Sequence, residues 1–141
     1  MFNTQKVKDA SLYKRVFFDV GSNDGSTSVS IAQNDVNTVV FAFEPTPRLV
    51  NEVTAKTSHL RNYILIDKAV SDFNGKAKFN IAGNADWGCS SLLEFSDKSQ
   101  TEWIGRTHGT VPVLRFSRPT QSTNSAILPT ENNATKLRYN S

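Results

Sequence analysis

Two acids sit where a strand would end. Asp19 lies near the close of the apolar run Val16–Val20, and Glu44 follows the run Val39–Phe43 directly, 25 positions later. After the first run comes a short polar loop, Gly21-Ser22-Asn23-Asp24-Gly25. A loop built only to turn the chain has no need of a carboxylate beside it, whereas a loop that holds a ligand has. In doubly wound sheets, a glycine turn after the first strand lets a ligand approach the backbone. An acid after the second strand then takes ribose hydroxyls.

The chemistry of the loop narrows the ligand. The Gly-Lys-Ser/Thr of a phosphate-binding loop is absent. A dinucleotide fingerprint requires G-x-G-x-x-G, and here acids stand at Asp19 and Asp24 instead. Two negative charges oppose a pyrophosphate by Coulomb repulsion. They suit a ligand with an ammonium and a sulfonium, and S-adenosylmethionine carries both, together with a ribose and an adenine. A nicotinamide-dependent oxidoreductase is therefore disfavoured. Ser90 and Ser91, with His108 downstream, lack the nucleophile elbow of a hydrolase.

The elements that must position these groups are legible. Val16–Val20 reads as a buried strand and Ser26–Gln33 as a short helix. Val39–Phe43 is a second strand. Thr46 suits a helix cap and Pro47 its first position, ahead of the apolar stripe Leu49, Val50 and Val53. Tyr63–Ile66, continuing through Ala69-Val70, reads as a third strand. Strand, helix, strand, helix, strand is the signature of an α/β parallel sheet with crossover helices. Asp72 and Gly75 read as hairpin turn chemistry before the alternating strand Lys76–Ile81. Val111–Phe116 reads as an edge strand because Pro112 lacks a donor.

The order and spacing of D-V-G-S-N-D-G (from Asp19), A-F-E-P (Ala42–Pro45), A-V-S-D (Ala69–Asp72) with Gly75 and Phe79, and S-S-L (Ser90–Leu92) resemble the FkbM family of S-adenosylmethionine-dependent methyltransferases. The resemblance covers about Val16 to Leu92. It implies a Rossmann-like class I methyltransferase fold and methylation of a hydroxyl on a glycan or small molecule. By that resemblance Asp19, Gly21, Ser22, Asn23 and Gly25 line the methionine and ribose part of the cofactor. Glu44, with Pro45, holds the ribose diol, and Asp67, Lys68 and Ala69 meet the adenine. The family's K-x-D-x-E-G-like fourth strand has no counterpart here. The expected fold is thus the cofactor half, truncated after the third parallel strand and a β-hairpin. A catalytically inactive cofactor-binding module is the alternative reading, and no catalytic base is identified.

Composition sets the remaining bounds. With 141 residues and 38% hydrophobic content, one core is possible. The expected organisation is a polar lead over 1–15, a cofactor-binding domain over 16–116 and a polar, disordered tail over 117–141. A net charge of +3 without a basic block gives no footprint for nucleic acid or an anionic membrane. One cysteine, Cys89, and two separated histidines argue against a disulfide framework or a metal site. The amino-terminal residues lack an apolar signal region and no run is long enough to span a bilayer, so a cytoplasmic location is expected.

Overall fold

The computed structural model describes residues 12–83, 87–94 and 106–116. The expected lead falls partly, and the expected tail wholly, outside the described residues. The chain runs β1 (Arg15–Val20), α1 (Ser26–Asn34), β2 (Thr38–Phe43), α2 (Pro47–Thr57), β3 (Tyr63–Ile66), β4 (Ala69–Ser71), β5 (Gly75–Ile81) and β6 (Thr107–Arg115), with a 3-10 turn at Trp87–Cys89. The first five elements build the expected α/β unit. Its sheet is parallel, in the order β1-β2-β3, which is the arrangement of a Rossmann-like half.

β2 is the centre of this sheet, and all six of its residues are buried. The pleat sends them alternately to two cores. Val40 and Ala42 meet Val29 and Ala32 of α1, Val53 of α2 and Tyr63 on one face. Val39, Phe41 and Phe43 pack with Ile66 and Leu114 on the other. Full burial of such side chains contributes about 1.5–3 kcal/mol each. Both helices therefore cover one face of the sheet. Asn62 locks the connections: its amide nitrogen donates to the carbonyls of Ala32, Asp35 and Thr38 at 2.9, 3.2 and 2.8 Å.

The second sheet departs from the expected order. Ala69-Val70 does not continue β3; Asp67-Lys68 interrupts the strand, and Ala69–Ser71 pairs in parallel with β6. β6 lies between β4 and β5, with β5 antiparallel to it. The Asp72–Gly75 turn consequently links two strands that are not neighbours, rather than closing a hairpin. β6 is also a central strand, not an edge. Pro112 is tolerated because it precedes the stretch Val113–Arg115 that pairs with β4, so that side of the strand has no partner at Pro112. Ala69, Phe79, Val111 and Val113 form this sheet's own core.

Candidate functional site

The loop after β1 is shaped by three left-handed residues. Gly21, Asn23 and Gly25 have φ of 75°, 53° and 72°. Glycine adopts this conformation freely and asparagine does so more readily than other side chains. Gly21 N and Ser22 N both donate to the Phe43 carbonyl, at 3.0 and 2.9 Å, which pins the loop across the end of β2. Gly25 N then donates to the Ser22 carbonyl at 2.8 Å, and the Gly25 carbonyl accepts from Val29 N to open α1.

Asp24 supplies what the helix cap lacks. Gly25 has no side chain to cap α1, and the Asp24 carboxylate accepts from Ser26 N at 3.0 Å. Those hydrogen bonds from Ser26, backbone first, hold Asp24 below the usual carboxylate range, and the nearby Lys56 charge adds to the effect. Lys56 Nζ also donates to the Asp24 carbonyl at 3.1 Å, tying the loop to the last turn of α2.

Glu44 closes the arrangement. Its backbone N–H donates to the Ile66 carbonyl at 3.0 Å, which continues the pairing of β2 with β3. Its Oε2 accepts from Asn23 N at 2.9 Å and its Oε1 from Thr46 N at 2.8 Å. One carboxylate thus joins the glycine loop to the start of α2. The residue is only 5% exposed. Although it stands at a strand end, two backbone donors draw the side chain inward. Thr46 sits at the N-cap of α2 with Pro47 following, as expected, but its hydroxyl makes no cap bond.

These elements border a cleft of about 420 Å³. Its near wall is Val20, Gly21 and Asn23 from the loop, with Phe43, Glu44 and Pro45 from the end of β2. Lys68, Ala69, Val70 and Ser71 form its floor. Six of the expected site residues, Gly21, Asn23, Glu44, Pro45, Lys68 and Ala69, thereby meet in one place. Asp19, Ser22, Gly25 and Asp67 are not among the residues lining the cleft. Gly25 is buried instead under structure. A Cβ there would stand 3.2 Å from the Tyr63 hydroxyl and from a Val53 methyl, and 3.3 Å from a Val29 methyl. Tyr63 shares a hydrogen bond with Ser28 at 3.0 Å, and burial raises its hydroxyl above the usual tyrosine value.

The far wall comes from β5 and the segment that follows it. Phe79, Gly88 and Ser90–Leu93 form it. Ser91 exchanges two backbone hydrogen bonds with Asn80, at 2.8 and 2.9 Å. Asn80 Nδ2 donates to the Leu93 carbonyl at 2.9 Å, and Ala82 N donates to Ser90 Oγ at 3.2 Å. The S-S-L segment was visible as a motif, but only its docking on β5 turns it toward the loop after β1. Among the described residues no cluster of three or more His, Cys, Asp or Glu could hold a metal ion, and no helix is long and apolar enough to cross a membrane.

No protein-family model matches the chain. Over 95 residues it is 31% identical to the 2-O-methyltransferase NoeI of Sinorhizobium fredii (strain NBRC 101917 / NGR234), covering 63% of this chain and 39% of that protein. The chain thus spans about two fifths of the length of this curated relative. A solved structure of an antibiotic-related methyltransferase aligns with a TM-score of 0.37 and 18% identity, over 49% of this chain and 43% of the other. At that score the structural likeness carries no argument. The sequence similarity is to a methyltransferase.

Proposed function

We propose that the cleft binds S-adenosylmethionine and that the chain is the cofactor half of an FkbM-type O-methyltransferase acting on a hydroxyl of a glycan or small molecule. The observation that carries this reading is the placement of Glu44. A carboxylate offers about four acceptor sites, and the two backbone bonds use two of them. The remainder suit a ribose diol at the cleft, as charge-assisted hydrogen bonds. Beside it, a Cβ on Gly21 would meet nothing within 4 Å, so there is room for a ligand against the turn. The residues present therefore fit the cofactor. The similarity to a 2-O-methyltransferase supports the same reaction class.

When bound, S-adenosylmethionine supplies an electrophilic methyl on a sulfonium. The chain's own part is to orient it: Glu44 fixes the ribose, the Gly21 turn sets the approach, and Lys68-Ala69 border the adenine. The segment Ser90–Leu93 faces the loop across the cleft and is the surface against which an acceptor hydroxyl is held. Alignment of nucleophile, methyl and sulfur supplies much of the rate in such reactions.

A second reading has its own observation. Among the described residues β1 has a strand neighbour on one side only. That favours a module that holds the cofactor without turnover. Labelled S-adenosylmethionine, assayed against a panel of hydroxyl-bearing saccharides and small molecules, separates the two. Melting curves with S-adenosylmethionine and with NAD test the ligand itself. The expected result is stabilisation by S-adenosylmethionine and none by NAD; stabilisation by NAD alone overturns the proposal.

A further inference from the structure

Tyr63 opens β3, and its ring is buried in the core with Val29, Ala32 and Val53. Its hydroxyl ends beneath the loop after β1, where a Cβ added to Gly25 would stand 3.2 Å from it. Phenylalanine would fill the same core without the cost of burying a hydroxyl. The hydroxyl meets Ser28 Oγ at 3.0 Å, and the fully buried Ser28 reaches the Gly25 carbonyl at 3.4 Å. A carbonyl only accepts, so Ser28 uses its one proton there and Tyr63 donates to Ser28. The relay therefore runs from Tyr63 through Ser28 to Gly25. It leaves the Tyr63 oxygen with acceptor capacity. Ser22 Oγ, buried and without a hydrogen-bond partner, lies close enough to act on the Tyr63 hydroxyl. Both ends of the segment Ser22–Gly25 thus converge on one phenolic oxygen.

We propose, resting on the assignment of the cleft to S-adenosylmethionine, that Tyr63 is a positioning residue: its hydroxyl, through Ser28, holds the loop in the shape that receives the cofactor. Tyr63 is not among the residues lining the cleft, so its influence on a ligand passes through the loop. The loop has reason to need such support. Three of its residues have left-handed backbone, and Gly25 brings no side chain to cap α1. Its middle is tied to the cleft, because Asn23 N donates to Glu44 Oε2 at 2.9 Å. A loop that drifts at Gly25 therefore disturbs both the Asn23 wall and the carboxylate assigned to the ribose. Binding must then restore the loop, and apparent affinity falls by the fraction of molecules in which it is out of place. A buried, hydrogen-bonded support under a binding loop removes that cost in advance.

Calorimetric titration of S-adenosylmethionine into the full chain, Tyr63→Phe, Ser28→Ala and the double variant tests the role. Each single change is expected to weaken binding by about tenfold, the scale of one buried hydrogen bond. The double variant should be no weaker than either single one, because both break the same relay. Val39→Ala is the control for stability alone. Val39 is fully buried in the core on the other face of β2, so this variant should melt lower and bind as the wild type does. Normal affinity in Tyr63→Phe, additive losses in the double variant, or equal weakening by Val39→Ala overturns the proposal. If the wild-type chain binds no S-adenosylmethionine, the cofactor assignment fails and amide exchange decides the role of Tyr63. Gly25 N, which donates to the Ser22 carbonyl, should then exchange at least about tenfold faster in Tyr63→Phe relative to the amides of β2. Unchanged protection of Gly25 overturns the positioning role. Should Tyr63→Phe fail to fold, Ser28→Ala gives the same two readouts.

Discussion

The ends of β1 and β2 carry similar sequences and meet opposite surroundings. Each is an apolar run that closes near an acid. β2 lies between two strands, under α1, α2 and the second sheet, and every one of its residues is buried. β1 has one strand neighbour among the described residues, and its burial alternates between exposed and half-buried. Glu44 is drawn under the loop by two backbone donors, whereas no comparable pair of bonds is found at Asp19 among the described residues. The difference teaches that strand position, rather than residue type, decides which acid is built into the cleft.

The sharpest break in this comparison comes from two stacked rings. Phe18 and Phe41 face each other with centroids 5.5 Å apart, yet Phe41 is 1% exposed and Phe18 40%. Phe41→Ala is expected to cost about 3–5 kcal/mol of stability, the range for a buried phenylalanine. Phe18 also meets Phe116 edge-on at 5.4 Å, so Phe18→Ala should cost about 1–3 kcal/mol, the scale of two aromatic pairs at a half-exposed site. Urea denaturation gives both values, and equal losses would erase the distinction between the strands.

The acids should differ next. Glu44→Ala leaves the part-buried Asn23 donor and the buried Thr46 donor without their acceptor, and a stability loss of about 2–3 kcal/mol is expected. Asp19→Ala should lose less than about 1 kcal/mol, as for a side chain outside such a network. Thermal denaturation with heat-capacity data measures the pair.

The two glycines of the loop sharpen the comparison further. Gly25→Ala combines a left-handed φ with contacts as short as 3.2 Å, for an expected cost of about 2 kcal/mol. Gly21→Ala carries the left-handed strain with no contact within 4 Å, for about 1 kcal/mol. Its larger effect should fall on S-adenosylmethionine affinity, read by titration at a temperature where both proteins are folded. A Gly21→Ala protein that binds normally assigns the glycine to the turn alone.

The smallest effect is on acid stability. Asp24 titrates below its ordinary value of 3.8 because Ser26 hydrogen bonds favour the charged form. Its contribution is present in full above the unfolded value and disappears as pH falls through the lower folded value. A modest acid-side loss of stability below about pH 4 is therefore expected, and Asp24→Asn should remove that component. Because the side chain is only partly buried, screening keeps the effect small.

Much of this was legible from local pattern. The alternation of apolar runs with a Thr46-Pro47 helix start gave the parallel unit, and the glycine turn after the first strand is where the sequence places it, with Gly21 at positive φ. What escaped depends on pairing across the chain. Ala69–Ser71 joins the second sheet because β6, nearly 40 residues later, offers it an edge. Pro112 looks like an edge marker until the short reach of β4 is known. Glu44 looks solvated until Asn23 N and Thr46 N converge on it, and the S-S-L segment has no visible role until Asn80 docks it. None of these contacts has a signature within its own window of sequence.

Isothermal titration of S-adenosylmethionine into the wild-type chain, Glu44→Gln and Asp19→Asn tests the central claim most directly. The account predicts binding to the wild type. Glu44→Gln should weaken it by about 1.5–3 kcal/mol, the scale of hydrogen bonds to a charged group. Asp19→Asn should weaken it less, with circular dichroism unchanged in both. Absence of binding to the folded wild-type chain, or equal losses in the two variants, would contradict the assignment of the cleft at the end of β2.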